Sequence, residues 1–363
     1  MSAIGLGTWQ FGSREWGYGD DYAREEAVRI LDRALELGIT LIDTAEIYGF
    51  GESERIIGRV LGERRKDAFL ATKVFPAMPL APVVEQRGRR SAARLQTDTI
   101  DLYQIHWPNP VVPIGPQMDG MRRLQKAGVV DHVGVSNFSL AQWQAAERSL
   151  GSPVLSNQVQ YSLVARKPDR DLVPHAQAND RLVIAYSPLG MGLLSAKYDA
   201  TNPPKGATRT SNALFLPENL ERAHELINAL RDVAKAHDAT PAQVALAWVI
   251  SHDNVVAIPG ASKVSQVESN AAAADLDLGA DEVARLTEAS DNFHPVQGPA
   301  ALPKLLGNRV LVAGSLFAQK RGQRLLGHTE VAKKIVRLSR VQSVPQVSLA
   351  GLKPHVLRER GCG

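Results

Sequence analysis

The sequence of 363 residues contains one cysteine, Cys362, which lies one residue from the C-terminus. An intramolecular disulfide is therefore excluded, and so is a metal centre built from several cysteines. No run of apolar residues is long enough to span a bilayer, and the N-terminal segment lacks the basic start and apolar middle of a signal peptide. We therefore expect a cytoplasmic protein whose stability comes from packing, with no metal site.

The net charge of +4 conceals an uneven distribution of charged residues. Residues 300–363 contain 12 Lys or Arg and only two acidic residues, Glu330 and Glu359, so the rest of the chain is mildly acidic. This change in composition predicts a main domain over residues 1–299 and a basic, loosely ordered C-terminal extension over residues 300–363.

The basic extension has one pattern that suits a binding partner. Val331, Ile335 and Leu338 follow helical spacing, as in segments that bind acidic proteins, nucleic acid or membrane surfaces. No groove-reading motif and no interleaved aromatic residues accompany the charge. We therefore expect neither nucleic acid nor a membrane as a partner.

Short apolar segments alternate with amphipathic ones along the main domain, which predicts an α/β fold. Helix candidates include residues 25–37 and 220–237. Strands that alternate with helices pair in parallel, and eight such units predict a (β/α)8 TIM barrel. The alternative is a doubly wound sheet, but no G-x-G-x-x-G follows the first strand. The eight strand candidates are residues 3–6, 40–43, 69–72, 102–105, 132–135, 155–159, 183–186 and 255–258.

Three helix starts are indicated by capping residues. In each, a Ser or Thr hydroxyl is followed three residues later by a Gln or Glu that reaches back to the cap, and one also has proline at the first helical position. The pairs are Ser139 with Gln142, Thr240 with Gln243, and Ser265 with Glu268.

Four titratable side chains lie at or just beyond the ends of three successive strand candidates: Asp43 with Tyr48, Lys73 and His106. In a barrel of this kind, catalytic residues lie at the C-terminal ends of the strands. Each residue alone has an ordinary explanation, as a turn cap, an aromatic lid, a rim charge or a core histidine. Their combination at neighbouring strand ends predicts a functional site.

These four side chains are suited to giving a proton to an oxygen atom. The pKa of tyrosine is near 10, and we expect the ammonium of Lys73 to lower it at Tyr48 by stabilising the phenolate. Asp43 would keep Lys73 protonated, and His106 would orient a carbonyl oxygen or relay a proton. The set predicts carbonyl reduction, with hydride supplied by a cofactor because no side chain provides one.

Eight short segments form a series: "IGLGTW", "DTAEIYGFGESE", "TKV", "YQIHW", "VGVSNF", "NQVQYS", "AYSPLG" and "IPGAS". In order and spacing they resemble the aldo-keto reductase superfamily, in the branch of bacterial members and channel β-subunits, over residues 4–295. The resemblance implies that Tyr48 is the general acid, that Asp43 and Lys73 tune it, and that His106 positions the carbonyl. Family members usually begin with a β-hairpin under the barrel, which we expect to be missing here unless the true start lies upstream of Met1.

The resemblance also implies NADPH, bound in an extended conformation across the barrel mouth. A cation beside a helix start is independently a favourable place for a 2′-phosphate, which supports Lys263. Gly260 and Gln266 stand where well-known mammalian members have Lys and Arg, so NADH use is left open. The implied contacts are Ser136, Asn137, Gln158 and Tyr186 for the nicotinamide, Ser187, Leu189 and Gly190 for the pyrophosphate, and Ser262, Lys263, Gln266 and Asn270 for the adenosine end.

Aromatic residues beside the catalytic candidates match the family's substrate pocket: Trp9, Phe75 and Trp107. A pocket of this kind accepts flat or apolar aldehydes and ketones with little hydrogen-bond selection. Trp16, Tyr18 and Phe50 are further candidates for its wall.

The sequence therefore predicts an NADPH-dependent reductase of small-molecule aldehydes and ketones. One alternative is a cofactor-binding subunit that is non-catalytic or redox-sensing, which would share the nucleotide-binding residues. Another is a Schiff-base aldolase that uses Lys73 as nucleophile, although a charged Lys73 would not attack a carbonyl. The physiological substrate, the direction of the reaction and the oligomeric state are not encoded in these patterns.

Overall fold

The computed structural model of the chain describes residues 1–12 and 21–305, which belong to one compact unit, Met1–Leu305. Trp16, Tyr18 and residues 306–363 of the basic extension lie outside the described residues. The boundary at residues 299 and 300 stays a prediction.

Eight parallel strands form one sheet in sequence order, so the predicted barrel is confirmed and the doubly wound alternative is wrong. The strands carry the predicted segments, with end points that differ by a few residues. They are β1 (Leu6–Gly7), β2 (Leu41–Asp43), β3 (Phe69–Val74), β4 (Ile100–Ile105), β5 (Val130–Ser136), β6 (Ser156–Gln160), β7 (Leu182–Tyr186) and β8 (Val255–Ala257).

The first strand pairs with the last and closes the barrel. The Gly5 amide donates to the Ala257 carbonyl at 2.7 Å, and the Gly7 amide donates to the Pro259 carbonyl at 3.0 Å. The predicted strand 3–6 is thus shifted to Leu6–Gly7, with only an isolated bridge at Ile4. A Cβ at Gly7 would lie 2.8 Å from the Ile258 carbonyl oxygen, so glycine permits this close approach.

Helices connect the strands and cover the outside of the barrel. The predicted helix 25–37 is found as α1, which begins earlier. The predicted helix 220–237 is two helices, separated at Ala223, where φ is −73° and ψ is −8°. The described helices are α1 (Asp21–Glu36), α2 (Glu52–Leu61), α3 (Ala81–Leu95), α4 (Ile114–Lys126), α5 (Leu140–Leu150), α6 (Leu172–Ala178), α7 (Ala207–Thr210), α8 (Pro217–Arg222), α9 (His224–Ala236), α10 (Pro241–Ile250), α11 (Val264–Ala271) and α12 (Ala280–Asp291).

Two of the three predicted capping boxes are present. Ser139 caps α5 and Thr240 caps α10, each with its Gln side chain bonded back to the cap amide. The prediction at Ser265 is wrong, because α11 already begins at Val264. The cap is Lys263, two residues before Ser265, and the Gln266 side-chain oxygen accepts hydrogen bonds from the amide and hydroxyl of Ser262.

Side chains alternate across each strand, so one face lines the barrel and the other packs against the helices. The lower barrel interior is apolar and includes Leu41, Ala71, Leu102 and Ile184. Two residues further along β2 and β3, the same face carries Asp43 and Lys73. The charged groups therefore lie above an apolar layer, at the C-terminal mouth.

Within the described residues, no helix has the length and apolar character needed to cross a membrane.

Thr240→Ala removes the hydroxyl that accepts from the Gln243 amide at the start of α10. We expect a loss of about 1 kcal/mol in the free energy of unfolding, measured by urea denaturation. Thr240→Ser keeps the hydroxyl and is the matched control. Equal stability of the Ala variant and the wild type would contradict a stabilising role of this cap.

Candidate active site

Lys73 and Asp43 form a buried ion pair at the mouth, with side chains that are 1% and 3% exposed. The Lys73 ammonium donates to Asp43 Oδ1 at 2.7 Å and to the Thr44 carbonyl at 2.8 Å. Burial alone would lower the pKa of Lys73, but the charge of Asp43 and the hydrogen bonds outweigh it and raise that pKa above its ordinary value. Lys73 is therefore a protonated amine, as the sequence predicted.

Tyr48 lies directly above this pair. Lys73 Nζ donates to the Tyr48 hydroxyl oxygen at 3.3 Å, which uses the third ammonium hydrogen. Tyr48 starts a 3-10 helix, Tyr48–Gly51, whose next three residues all have positive φ: 56° at Gly49, 54° at Phe50 and 84° at Gly51. This left-handed run turns the chain sharply between Tyr48 and α2.

The pKa of Tyr48 is raised, not lowered as the sequence predicted. Burial of the hydroxyl is the largest cause; the Lys73 charge acts in the opposite direction but does not outweigh it. Tyr48 is therefore fully protonated at neutral pH in this geometry. Lys73 still favours the phenolate relative to a site without the ammonium.

His106 completes the set from the end of β4. Its ring lies edge-on to Tyr48 with centroids 5.9 Å apart, and it stacks on Trp107 at 3.7 Å. Burial, aided by the charge of Lys73, lowers the pKa of His106 to about 2, so the ring is neutral. Its Nδ1 atom has no hydrogen-bond partner among the described residues. A neutral imidazole beside a phenol can donate one hydrogen bond to a carbonyl oxygen.

The four predicted catalytic residues are thus brought together at one place. The linkage continues to the nicotinamide group of predicted residues, because Gln158 Nε2 donates to Asp43 Oδ2 at 2.7 Å. The Ser136 hydroxyl donates to the Gln158 carbonyl at 2.8 Å, and the Tyr186 hydroxyl donates to Asn137 Oδ1 at 3.0 Å. These amide and hydroxyl groups, together with the half-buried Tyr186 ring, suit a nicotinamide carboxamide and ring.

The other predicted cofactor residues lie further around the mouth. Ser187, Leu189 and Gly190 follow β7, with φ of 50° at Ser187 and 55° at Gly190. Asn270 is buried, whereas Lys263 is exposed and makes no side-chain hydrogen bond or ion pair within the described residues. Ser262 and Gln266 bond to each other. An exposed cation beside a helix start fits a phosphate group.

The predicted substrate wall is partly assembled. Phe75 and Trp107 meet edge to face with centroids 5.9 Å apart, and both Trp9 and Trp107 are exposed at the mouth. Phe50 is 91% exposed, so it projects from the rim without packing on these rings.

Two carboxylates that the sequence analysis did not assign, one half-buried and one fully buried, support the site from behind. Glu46 lies two residues before Tyr48 and forms an ion pair with Arg87, which also donates to the Phe75 carbonyl at 2.8 Å. This pair ties the Tyr48 loop to the loop that carries Phe75. The segment "DTAEIYGFGESE" contains three Glu residues, and Glu46 is the first of them.

The second carboxylate, Glu54 on α2, is fully buried. It accepts from the Thr72 hydroxyl at 2.6 Å and from Arg94 Nε at 2.6 Å. Thr72 precedes Lys73 and lies on the opposite face of β3, so this contact fixes the strand that carries the ammonium.

Comparisons with known proteins agree with this geometry. Residues 3–291 match the model of the Aldo/keto reductase family. An uncharacterized oxidoreductase of Mycobacterium tuberculosis is 54% identical over 310 residues, covering 85% of this chain and 96% of the relative. A methylglyoxal reductase of Escherichia coli is 35% identical over 80% of this chain and 91% of its own length. A Klebsiella pneumoniae aldo/keto reductase solved with NADP and acetate is 30% identical, with a TM-score of 0.66, over 82% of this chain and 93% of that one.

The low pKa of His106 makes stability depend on pH. Below the ordinary value of 6.5 the unfolded chain takes up a proton that the folded protein does not, so stability falls as pH drops. Between pH 7 and pH 5 we expect the wild type to lose about 1–2 kcal/mol more than His106→Asn, measured by urea denaturation. His294→Asn, at an exposed histidine, is the control. Identical losses in all three proteins would contradict a neutral, buried His106.

Proposed function

The chain belongs to the aldo/keto reductase family and is an oxidoreductase, and from that premise we propose that it reduces aldehydes and ketones to alcohols with NADPH. The observation that carries the proposal is the buried Lys73 ammonium, which contacts both Asp43 and the Tyr48 hydroxyl at the barrel mouth. This arrangement places a proton donor at the C-terminal mouth of the barrel.

Tyr48 gives the proton and His106 orients the oxygen that receives it. Because its pKa is raised, Tyr48 holds its proton until charge develops on the substrate oxygen. As the proton leaves, the phenolate forms 3.3 Å from a fixed ammonium, which stabilises the transition state more than the ground state. Neutral His106 donates to the same oxygen without competing for the proton.

NADPH, when bound, supplies the hydride. Tyr186 would stack on the nicotinamide ring, and Ser136, Asn137 and Gln158 would hold its carboxamide. The hydrogen bond from Gln158 to Asp43 links this carboxamide site to the ion pair. Ser187, Leu189 and Gly190 would approach the pyrophosphate, while Ser262, Lys263, Gln266 and Asn270 would meet the adenosine end. The Klebsiella structure with NADP supports this choice of cofactor.

The substrates we propose are small carbonyl compounds with an apolar or flat body. Phe75 and Trp107 form an aromatic corner next to His106, and Trp9 lies at the same mouth. Apolar contacts of this kind discriminate weakly between similar substrates. The Escherichia coli relative that is named a methylglyoxal reductase supports a small aldehyde or ketone as substrate.

The aldolase alternative is disfavoured by the state of Lys73. A Schiff base needs a neutral amine, whereas Asp43 and Tyr48 raise the pKa of Lys73 and occupy its hydrogens.

Tyr48→Phe removes the proposed proton donor and keeps the ring. We expect kcat for NADPH-dependent reduction of an aromatic aldehyde to fall by about 10²- to 10⁴-fold, with Kd for NADPH within about threefold of the wild type. Tyr161→Phe, whose ring packs on Trp248, controls for loss of a tyrosine hydroxyl elsewhere. Turnover near the wild-type rate in Tyr48→Phe would refute the assignment. NADPH binding without oxidation by any carbonyl in the wild type would favour the non-catalytic subunit.

Lys263→Ala removes the exposed cation that directly precedes α11. We expect Kd for NADPH to rise about tenfold and Kd for NADH to change less than about twofold, measured by calorimetry. Lys235→Ala, at an exposed position of α9, is the charge-matched control. Equal losses for both cofactors would remove the proposed phosphate contact.

A further inference from the structure

A carboxylate from α1 reaches the start of α11. The Val264 amide, the first of that helix, donates to Glu26 Oε1 at 3.3 Å. Glu26 Oε2 accepts from Arg29 Nη2 at 2.7 Å and from Arg29 Nε at 3.0 Å. The Glu26 side chain is only 15% exposed, so it is held between the two helices.

The two helices are joined by a second contact, in which Arg33 Nε on α1 donates to Glu268 Oε1 on α11 at 2.9 Å. Arg33 also pairs with Glu36. Glu26 is thus held by Arg29 on one side and by the Val264 amide on the other, and Val264 directly follows Lys263 in the chain.

An anion is stabilising at a helix N-terminus, because the free amides and the helix dipole favour negative charge. Here Glu26 already supplies that anion. A cofactor 2′-phosphate arriving beside Lys263 meets the Glu26 charge and competes with it for the Val264 amide. A ribose 2′-hydroxyl, in contrast, can donate a hydrogen bond to a carboxylate.

The surrounding charges do not remove this conflict. Arg29 is paired with Glu26, and Arg33 with Glu268 and Glu36, so both arginines are already engaged by carboxylates. The side-chain oxygen of Gln266 accepts a hydrogen bond from the Ser262 amide. Among the described residues of this corner, Lys263 is the cation whose side chain is unpaired.

We propose that Glu26 is a specificity-determining residue that weakens the preference of this protein for NADPH over NADH. The inference rests on the proposed function, in which the adenosine end of a nicotinamide cofactor lies at the start of α11. Binding of NADPH displaces Glu26 from the Val264 amide, whereas NADH leaves that contact in place.

The test compares Kd values for NADPH and NADH, by calorimetry, in the wild type and in Glu26→Gln. The Gln side chain can still accept from Val264 but carries no charge. We expect Kd for NADPH to fall about fivefold to tenfold and Kd for NADH to stay within about twofold or to rise. The gain for NADPH should shrink in 0.5 M salt, because screening weakens the repulsion.

The matched control is Glu36→Gln, which removes one negative charge from the exposed end of α1. Its Kd ratio should equal that of the wild type. Glu26→Asp is a second variant, because its shorter side chain keeps the charge but cannot reach the amide. Its Kd for NADPH should be no lower than that of Glu26→Gln. The fragments 2′,5′-ADP and 5′-AMP repeat the comparison for the adenosine end alone.

The outcomes separate the two proposals. If the wild type binds both cofactors and Glu26→Gln leaves their Kd ratio unchanged, or changes it no more than Glu36→Gln does, the role of Glu26 is wrong and the proposed function stands. If the wild type binds neither cofactor, the proposed function fails, and the inference fails with it.

Discussion

The site depends on one buried ammonium. Lys73 has three hydrogens to donate, and it uses them on Asp43, the Thr44 carbonyl and the Tyr48 hydroxyl. A buried charge is tolerated only when it is paired and fully hydrogen-bonded. The ammonium therefore fixes the positions of its three partners, and they fix its position. The position of the phenol relative to the carboxylate is therefore set by a single nitrogen atom, above an apolar layer that keeps water away from below.

Much of the fold and of the candidate site could be predicted because, in this barrel, strands that follow one another in the sequence are neighbours in the sheet. The alternation of apolar strands with amphipathic helices was enough to indicate eight parallel strands. Once the barrel was assumed, Asp43, Lys73 and His106 had to meet, since each stands at the C-terminal end of a neighbouring strand. The direction of the Tyr48 pKa shift was predicted wrongly, because it depends on how far burial outweighs the nearby charge, and sequence does not report burial.

The supporting ion pairs could not be predicted for a related reason. Glu46 and Arg87 are 41 residues apart, and Glu54 and Arg94 are 40 apart, on different elements whose relative rotation no periodicity specifies. The start of α11 was misplaced by two residues, because its cap is Lys263 and Ser262 donates to the Gln266 side-chain oxygen, a contact that the Ser265 pattern does not include. In each case the sequence showed the residue but not its partner.

The two faces of strand β3 have different roles: one holds the catalytic candidate and the other packs against the helices. Lys73 lies inside the barrel, while its neighbour Thr72 lies outside and is held by Glu54 and Arg94 from the helical layer. Adjacent residues share a peptide group, so a shift of the outer pair displaces the inner amine. Substitutions in α2 and α3 are therefore not neutral merely because these helices lie on the outside of the barrel. Loss of Glu54 on α2 or of Arg94 on α3 would remove contacts that hold Thr72, and therefore the neighbouring Lys73, in place.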